Sequence, residues 1–545
     1  MAKNASKTTP SFITELPLEV SPASEAVLLR RLEVARQIYN ACLSEALRRV
    51  KLIRQSKDFN QARSLKVSNP QRKVLFKRTR DCYGFSEYAL HSYSTTIKHS
   101  WLGDHIDSNT VQKLATRAYK AVEKVLFGKS KKVRFKGKNQ MDSVEGKSNK
   151  AGIRWQGESV EWNGLRLKAL ITDHEPVILH GLNSKVKYVR LVRRKISGKN
   201  RFYAQLVCEG KPFVKPKNTL GIGDVGIDIR PSTIAIVAKN EAHLKQFVSE
   251  LKSQGKQIRR LQRKMDRSRR ANNPDNFNSN GTVKKGKKPW NSSKSYLKIC
   301  HSKANLERKL AGHRKSLHGE LVNDILRTGD TFKLEKLSDK AFQKLFGSSV
   351  GKHAPGMFVS HLKNKAARAG GKVVEIPTYN TKLSQTCQCG RVKKKSRSLA
   401  KVELTPLNPP ETGGINLAPS PFRGGLGRGF SDLCKRSSLS ERIHQCECGV
   451  IAQRDLYSAL LAKYIEPDTF VLQVSQLVND WQSAELRLQA AWRTATDTEP
   501  VTGRVIPSSF GRCPELERVA AEVFKTTSKS QDAVGEIREP ERGRL

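Results

Sequence analysis

The sequence predicts an α+β protein with more than one domain. Three observations predict this class. The chain has 545 residues, which is enough to bury more than one core. Its first part shows helical periodicity followed by period-two alternation, and its second part alternates short apolar runs with helical stretches. Basic residues outnumber acidic ones by 101 to 50, which gives a formal net charge of +51.

This excess of basic residues predicts a polyanionic partner, because neutralising phosphates with lysine and arginine releases condensed counterions. A soluble protein with an ordinary charged surface mixes both signs more evenly, so that alternative is weaker. No apolar run approaches the roughly 20 residues that a membrane span needs, and Met1–Pro10 does not resemble a leader. We therefore expect a cytoplasmic, nucleoid-associated protein without a membrane partner. Its oligomeric state stays open.

Two basic amphipathic helices are predicted in the first part. Apolar residues recur at helical spacing from Leu28 to Val50 and again from Val111 to Phe127. A plain helical subdomain with a charged face explains both stripes, and only the excess of basic side chains favours phosphate contact as well. The candidate nucleic-acid-binding residues here are Arg36 and Lys120.

Strands with a basic face are predicted next. Apolar and basic residues alternate in Lys131–Gly137 and in Val186–Arg193, and a turn at Ser197–Asn200 leads into a return strand. A basic face of this kind suits an RNA or DNA backbone, although edge strands also use lysine to resist aggregation. The candidate contacts are Lys132, Arg134, Lys187, Arg190 and Arg193.

Three acidic residues stand out in the second part. Asp228 lies in the apolar strand Val225–Ile229, Glu335 lies in the alternating strand Thr331–Leu337, and Asp455 opens an apolar helical pattern. An acid in a buried strand is costly unless something compensates its charge. Taken singly, a turn-capping aspartate and a surface glutamate are the simpler interpretations of the first two.

Other elements of the second part follow from the same patterns. The predicted helices are Glu241–Arg269, His301–Thr328, Met357–Ala369 and a last one around Phe470–Trp492, and Lys372–Pro377 is a predicted strand. The segment Ala271–Ser293 is rich in Asn, Gly and Lys, which predicts a loop.

Two cysteine pairs predict a structural zinc site. Cys387 and Cys389 precede Gly390, and Cys446 and Cys448 precede Gly449. Two tight turns would deliver four thiolates, with each glycine letting the backbone wrap the metal. The remaining six cysteines are scattered, as is typical of packing thiols. Between the pairs, a segment rich in Pro and Gly cannot easily bury a core, and we interpret about 404–439 as a disordered insertion.

The order Ser384-Gln385-Thr386-Cys387, the second Cys pair and Arg454-Asp455 before a helix of small residues resembles the insertion-sequence OrfB/TnpB family. These are transposon-encoded RNA-guided endonucleases, also known as transposases and related to the CRISPR type V effectors. The resemblance implies a helical and β-barrel half that holds guide RNA and target DNA. It also implies a ribonuclease-H-like (RuvC) domain with an inserted zinc ribbon, in which Asp228, Glu335 and Asp455 bind catalytic Mg²⁺.

The resemblance also implies a division of the chain. The predicted parts are 1–220, the nucleic-acid-binding region; 221–378, the first part of the nuclease core; 379–452, the zinc ribbon; 453–465, the last core helix; and 466–545, a further helix with a disordered tail.

The chain departs from the family pattern at several points. The Cys pairs are CxC instead of CxxC and are unusually far apart, Arg230 stands where the family has Gly, and Gln453 and Tyr457 replace an acid and an Asn. These departures favour an alternative, a nuclease-inactive relative that binds RNA and DNA. A further alternative is a transposase that acts directly on transposon ends.

Overall fold

The computed structural model describes residues 9–172, 174–251, 254–286, 288–336, 338–392, 442–496 and 510. These residues form two compact units. The first unit comprises the described residues of Met1–Lys215 and Ser253–Lys309, and the second those of Pro216–Lys252 and Leu310–Leu545. The segment Ser253–Lys309 thus groups with the first unit, whereas the predicted division placed it in the nuclease core. The predicted insertion at 404–439 and the predicted disordered tail lie outside the described residues.

The first unit combines a helical layer with antiparallel strands. Its helices are α1 (Pro22–Gln55), α2 (Lys57–Ser64), α3 (Pro70–Cys82), α4 (Glu87–Lys98), α5 (Ser108–Leu126), α6 (Pro176–Leu182), α7 (Gly255–Ala271) and the start of α8 (Lys294–Leu326). Its strands are β1 (Ser11–Pro17), β2 (Ser143–Glu145), β3 (Arg154–Gln156), β4 (Ser159–Trp162), β5 (Leu165–Lys168), β6 (Val186–Ile196) and β7 (Lys199–Glu209). The two predicted basic helices are confirmed as α1 and α5.

The strands of the first unit form two antiparallel sheets, in the orders β1-β7-β6-β2 and β3-β4-β5. The β6–β7 hairpin is confirmed, with both residues of its turn, Ser197 and Gly198, at positive φ. The predicted strand at Lys131–Gly137 is wrong, because those residues have no regular structure and pair with no strand. One large core joins the inner face of α1 and α5 to both sheets.

The second unit carries a five-stranded sheet. In addition to the end of α8, this unit contains the following strands and helices: β8 (Asp224–Ile229), β9 (Thr233–Val237), β10 (Ala242–Gln246), β11 (Thr331–Glu335), α9 (Asp339–His353), α10 (Pro355–Ala369), β12 (Lys372–Ile376), α11 (Thr378–Thr381), β13 (Ile443–Gln445), β14 (Ile451–Gln453), α12 (Arg454–Lys463) and α13 (Val474–Thr496). The prediction of helix from Glu241 is wrong at its start, because β10 continues the sheet, and α9 was not predicted.

The order of this sheet is β10-β9-β8-β11-β12. The first three strands are antiparallel, whereas β8, β11 and β12 run parallel. Helix α12 packs across β8 and β9, and every residue from Asp455 to Lys463 is buried. This close approach requires Gly226, since a Cβ there would stand 1.8 Å from the carbonyl oxygen of Ala459. The protein is therefore mixed α/β, with a sheet and a buried helix at the centre of its second unit.

None of the described helices combines the length and the apolar character needed to cross a membrane.

Candidate functional site

The structure brings the three predicted acids of the second unit to one region. Asp228 is in β8 and Glu335 ends β11, and these two strands are parallel neighbours in the sheet. Asp455 is in the first turn of α12, which packs on the same strands. We call Asp228, Glu335 and Asp455 the carboxylate cluster.

Arg230 lies among these acids. Its Nη2 donates to Oδ1 of Asp455 at 2.7 Å, and its Nε donates to the same oxygen at 3.1 Å. The same Nε is 3.4 Å from Oδ2 of Asp228. A second guanidinium, that of Arg454, has its Nε 3.6 Å from Oδ1 of Asp455. One arginine therefore bridges two of the three acids.

Burial governs the ionisation of the cluster. It raises the pKa of Asp228 to about 6, against the opposing charge of Arg230. Burial, with the nearby charge of Asp228, raises the pKa of Glu335 to about 7. The negative charges of Asp228 and Asp455 in turn raise the pKa of Arg230. The guanidinium of Arg230 consequently stays charged, while the raised pKa values of Asp228 and Glu335 make both carboxyl groups partly protonated near neutral pH.

The oxygen atoms of the cluster suit a hard divalent cation. Oδ2 of Asp228, Oε1 of Glu335 and Oδ2 of Asp455 are buried and lack a hydrogen-bond partner. Such orphaned oxygens are costly, and they are the type of ligand that Mg²⁺ takes. The three acids do not, however, gather their oxygens within 4.8 Å of one another, since the four predicted cysteines are the only such group among the described residues.

Those four cysteines form the second predicted site, which we call the cysteine cluster. Cys387 and Cys448 have their Sγ atoms 3.5 Å apart, and Cys389 and Cys446 have theirs 3.6 Å apart. All four Sγ atoms lie within 4.8 Å of one another, and none of the four is in a disulfide. With Zn–S bonds of about 2.3 Å, a tetrahedral site has sulfur atoms about 3.8 Å apart. The cysteine cluster therefore fits zinc in both ligand type and spacing.

The two CxC pairs adopt matching turns. The N–H of Gly390 donates to the carbonyl of Cys387 at 2.9 Å, and that of Gly449 donates to the carbonyl of Cys446 at 3.0 Å. Both glycines have a positive φ, of 82° and 91°. A backbone N–H, that of Cys448, lowers the pKa of the Cys446 thiol to about 7, which favours the thiolate that binds metal. Both glycines thus close the tight turns that the sequence predicted.

Two residues noted as departures from the family pattern have structural roles. Tyr457 of α12 accepts the backbone N–H of Gln388 at 2.9 Å and donates to Sγ of Cys387 at 3.5 Å. The side chain of Gln453 caps α12 by accepting the N–H of Leu456 at 2.7 Å. Helix α12, which carries Asp455, is thus capped at its start by Gln453. Tyr457, two residues after Asp455, joins this helix to the cysteine cluster.

The predicted nucleic-acid-binding residues fall into two groups. Lys120, Lys132 and Arg134 are exposed. Arg36 pairs with Glu33, Arg190 with Glu145 and Arg193 with Asp142, at 2.7, 3.0 and 2.7 Å, while Nζ of Lys187 donates to Oγ1 of Thr9 at 2.6 Å.

The expected single basic face of β6 is wrong. Arg190 and Arg193 are three residues apart and so point to opposite faces of the strand. Lys187 sits where the register shifts between Val186 and Tyr188, which breaks the alternation that the sequence pattern assumed.

The bridging role of Arg230 was not predicted from the sequence. Its signal was present, because a basic residue stands two positions after Asp228 where the family has Gly. What the pattern did not reveal is that the side chain turns back onto Asp228 and reaches Asp455, more than two hundred residues away.

No model of a known protein family matches the chain, and no curated protein matches it in sequence. Among solved structures it is similar to a chain of the "Cryo-EM structure of the Cas12f1-sgRNA-target DNA complex", at 13% identity over 71% of this chain and 93% of that chain, with a TM-score of 0.32. It is also similar to a chain of the "Cryo-EM structure of CRISPR-Cas12f Ternary Complex", at 12% identity over 68% and 74%, with a TM-score of 0.24. Both scores are low, so the proposals below rest on the residues of this chain.

Proposed function

We propose that the chain is a transposon-associated, RNA-guided DNA endonuclease of the TnpB type. Its carboxylate cluster would be the site of Mg²⁺-dependent phosphodiester hydrolysis. One observation carries the proposal: three acids that are far apart in the sequence converge, and each has a buried oxygen without a hydrogen-bond partner. Oxygens of this kind suit a cation, although that of Asp228 already lies 3.4 Å from Nε of Arg230, and their origin in three elements makes a chance arrangement a poor explanation.

The order of elements supports a ribonuclease-H-like core. In the RuvC domain to which the sequence shows resemblance, the acids come from a first strand, a later strand and a last helix. Here they come from β8, β11 and α12. Bound Mg²⁺ would polarise the phosphodiester and promote ionisation of the attacking water. The protein's own part is to hold the acids: Gly226 lets α12 reach β8, and the cap by Gln453 fixes the start of that helix.

The first unit would hold the nucleic acid. The net charge of +51 exceeds what solubility requires, and the exposed Lys120, Lys132 and Arg134 are available to phosphates. In this proposal, guide RNA and target DNA are the partners, the first unit contains the predicted β-barrel, the predicted domain bounds apply outside Ser253–Lys309, and the zinc ribbon is a structural insert. The contact between Tyr457 and Cys387 supports that last role, because it ties the metal turn to the catalytic helix.

Arg230 favours a second candidate, a nuclease-inactive relative that binds RNA and DNA. Its guanidinium already places a positive charge between Asp228 and Asp455, where a metal ion would otherwise supply it. A fixed cation in that position competes with Mg²⁺ for the same carboxylates. The chain would then keep its guide and target without cutting.

The test is a cleavage assay on protein co-expressed with its flanking genomic RNA. The substrate is a DNA library with randomised flanks in Mg²⁺, and the variants are Asp228→Ala, Arg230→Gly and Glu375→Ala. Glu375 is the matched control, since it is an acid of the neighbouring β12 that pairs with Lys363 at 2.6 Å. We expect cleavage by the wild type and by Glu375→Ala, and none by Asp228→Ala.

The other outcomes separate the candidates. Retained RNA without cleavage by the wild type, together with cleavage by Arg230→Gly, would support the inactive relative and identify Arg230 as the cause. A protein that retains neither RNA nor DNA would contradict both candidates.

A further inference from the structure

A cavity of about 540 Å³ opens in the first unit among α1, α2, α3 and the end of α5. Its described wall contains four arginines, Arg54, Arg63, Arg72 and Arg80, together with three phenylalanines, and none of the wall residues that the structure describes is acidic. We call it the arginine cavity. It lies outside the carboxylate and cysteine clusters, and none of its residues was a predicted site residue.

The four arginines have no acidic partner among the described residues. None of them forms an ion pair within the part of the chain that the structure describes, whereas Arg48 and Arg49 on α1 both pair with Glu45 at 2.8 Å. Arg54, Arg72 and Arg80 donate instead to backbone carbonyls, at 3.0, 2.7 and 3.3 Å. The cavity therefore concentrates positive charge that no described acid compensates, which favours an anion as ligand.

Aromatic faces lie beside these charges. The guanidinium of Arg72 is 5.5 Å from the ring centroid of Phe76, and that of Arg80 is 5.9 Å from the ring centroid of Phe127. Phe76 is held edge-on by Phe59, with centroids 5.4 Å apart. Phe127 is 52% exposed although it is a large apolar side chain. An exposed ring beside an arginine is a surface on which a planar group can stack.

We propose that the arginine cavity binds an unpaired nucleotide of a single-stranded nucleic acid. The base stacks on Phe127, and Arg63 and Arg80 contact its phosphates. The volume is within the range of about 300–1,000 Å³ that is usual for small-ligand sites. This inference rests on the nucleic-acid-binding part of the proposed function and is independent of the carboxylate cluster.

A planar base and a charged phosphate together match both features of the cavity. Phosphate alone would leave the exposed ring of Phe127 uncovered, and an uncharged aromatic molecule would leave the arginines without an anion. Base stacking on an aromatic side chain tolerates any sequence, because every base has a π-face. The expected ligand is therefore a nucleotide in a flexible strand, since a paired base is not available for stacking.

The experiment measures binding of the full-length chain, freed of nucleic acid, to two fluorescent probes. One is hexauridine RNA, and the other is a hexamer of the same backbone without bases. Phe127→Ala is the test variant, and Arg78→Gln is the control because Arg78 is on α3 outside the cavity and is 75% exposed. We expect Phe127→Ala to weaken hexauridine binding about tenfold without affecting the abasic probe. Arg78→Gln should change either affinity less than twofold.

A second variant covers the case in which Phe127→Ala does not fold. Arg63 is exposed and makes no hydrogen bond to the described residues, so Arg63→Gln leaves the packing intact. We expect it to weaken both probes and to lower the salt dependence of binding by about 0.7 in log–log slope, the value for one phosphate contact in a single strand. Hexauridine that carries 4-thiouridine should crosslink to the tryptic peptides Val74–Lys77 and Val125–Lys129, which contain Phe76 and Phe127.

Three results would overturn the inference. The first is an equal effect of Phe127→Ala on both probes, with crosslinks only elsewhere in the chain. The second is saturation by uridine monophosphate with no gain in affinity for the hexamer, which would identify a small-molecule site. These first two results would contradict the nucleotide site but not nucleic-acid binding elsewhere in the chain. Failure of the wild type to bind any RNA, the third, would overturn the proposed function as well.

Discussion

The carboxylate cluster and the arginine cavity each gather charges of one sign, but they treat those charges differently. In the carboxylate cluster, Arg230 and Arg454 supply the opposite charge from within the protein. In the arginine cavity, no described acid does so. The difference follows burial. Asp455 is 1% exposed, and a buried charge without a partner is unstable, whereas Arg63 is exposed and keeps its hydration. The charges of the carboxylate cluster that have a partner within the protein stabilise its fold, whereas the arginines of the cavity remain available to a ligand.

In the cysteine cluster, the negative charges of the thiolates would be compensated by a metal ion and not by the protein. The largest expected effect concerns this cluster. We predict one zinc per chain in the purified protein, and loss of that zinc in Cys446→Ser. Apparent binding free energies of structural zinc in small domains are about 10–16 kcal/mol, so the variant should also lose thermal stability in the second unit. Elemental analysis and thermal unfolding measure both quantities.

Cys82→Ser is the control for the zinc prediction, because Cys82 is an exposed cysteine on α3. It should leave the zinc content unchanged. Deletion of the predicted insertion, Leu404–Leu439, should do the same, and loss of zinc in that variant would contradict its interpretation as an insertion into the ribbon.

Arg230→Ala tests the internal compensation directly. Removing the guanidinium leaves Asp228 and Asp455 buried without their main partner, a change that costs about 3–5 kcal/mol in comparable buried pairs. We expect unfolding of the second unit at lower denaturant concentration, with partial recovery when Mg²⁺ is added. Arg327→Ala is the control, since Arg327 pairs with Asp324 at the surface, and it should cost less than about 1 kcal/mol. Equal losses in the two variants would contradict the comparison.

Unlike Arg230→Ala, Arg63→Gln should not destabilise the protein. Because the arginines of the cavity repel one another and pair with none of the acids that the structure describes, removal of one charge should leave the free energy of unfolding unchanged or raise it by up to about 0.5 kcal/mol. Denaturant unfolding of the wild type and the variant, without RNA, measures the difference. A clear loss of stability would show that this arginine is structural, as Arg230 is.

The smallest expected effect concerns two buried histidines, His318 and His353. A neutral imidazole avoids the free-energy cost of a buried charge without a partner. His318 donates from Nε2 to the carbonyl of His353 at 2.8 Å, and its ring packs beside the rings of Phe247 and Phe358. Burial lowers the pKa of both His318 and His353. The unfolded chain then binds protons more readily, so this contribution to stability is present above about pH 6.5 and is lost as the pH falls.

His318→Gln removes one of these protonation sites. We therefore expect its free energy of unfolding to decline less steeply between pH 7 and pH 5 than that of the wild type. His313→Gln, at an exposed position of the same helix, should leave the slope unchanged. Parallel slopes in all three proteins would contradict the assignment.

Much of the local structure could be predicted, because it depends on neighbours in the chain. The apolar stripes gave α1 and α5, and the Cys-x-Cys-Gly turns were identified with the role of each glycine. Errors arose where short segments were ambiguous. The strand β10 has only five residues and was taken for the start of a helix, and the alternation of Lys131–Gly137 formed no strand because no partner strand pairs with it.

The sequence by itself determined the net charge, the zinc-type ligand set and the candidate acids Asp228, Glu335 and Asp455. Only the tertiary structure decided that Arg230 bridges two of these acids, that Tyr457 reaches Cys387, and that four arginines line one cavity in which the structure describes no acid. The physical reason is that charge compensation depends on distance in space. Residues brought together by the approach of α12 to β8 at Gly226, or by the packing of α1, α2, α3 and α5, leave no periodic trace in the chain.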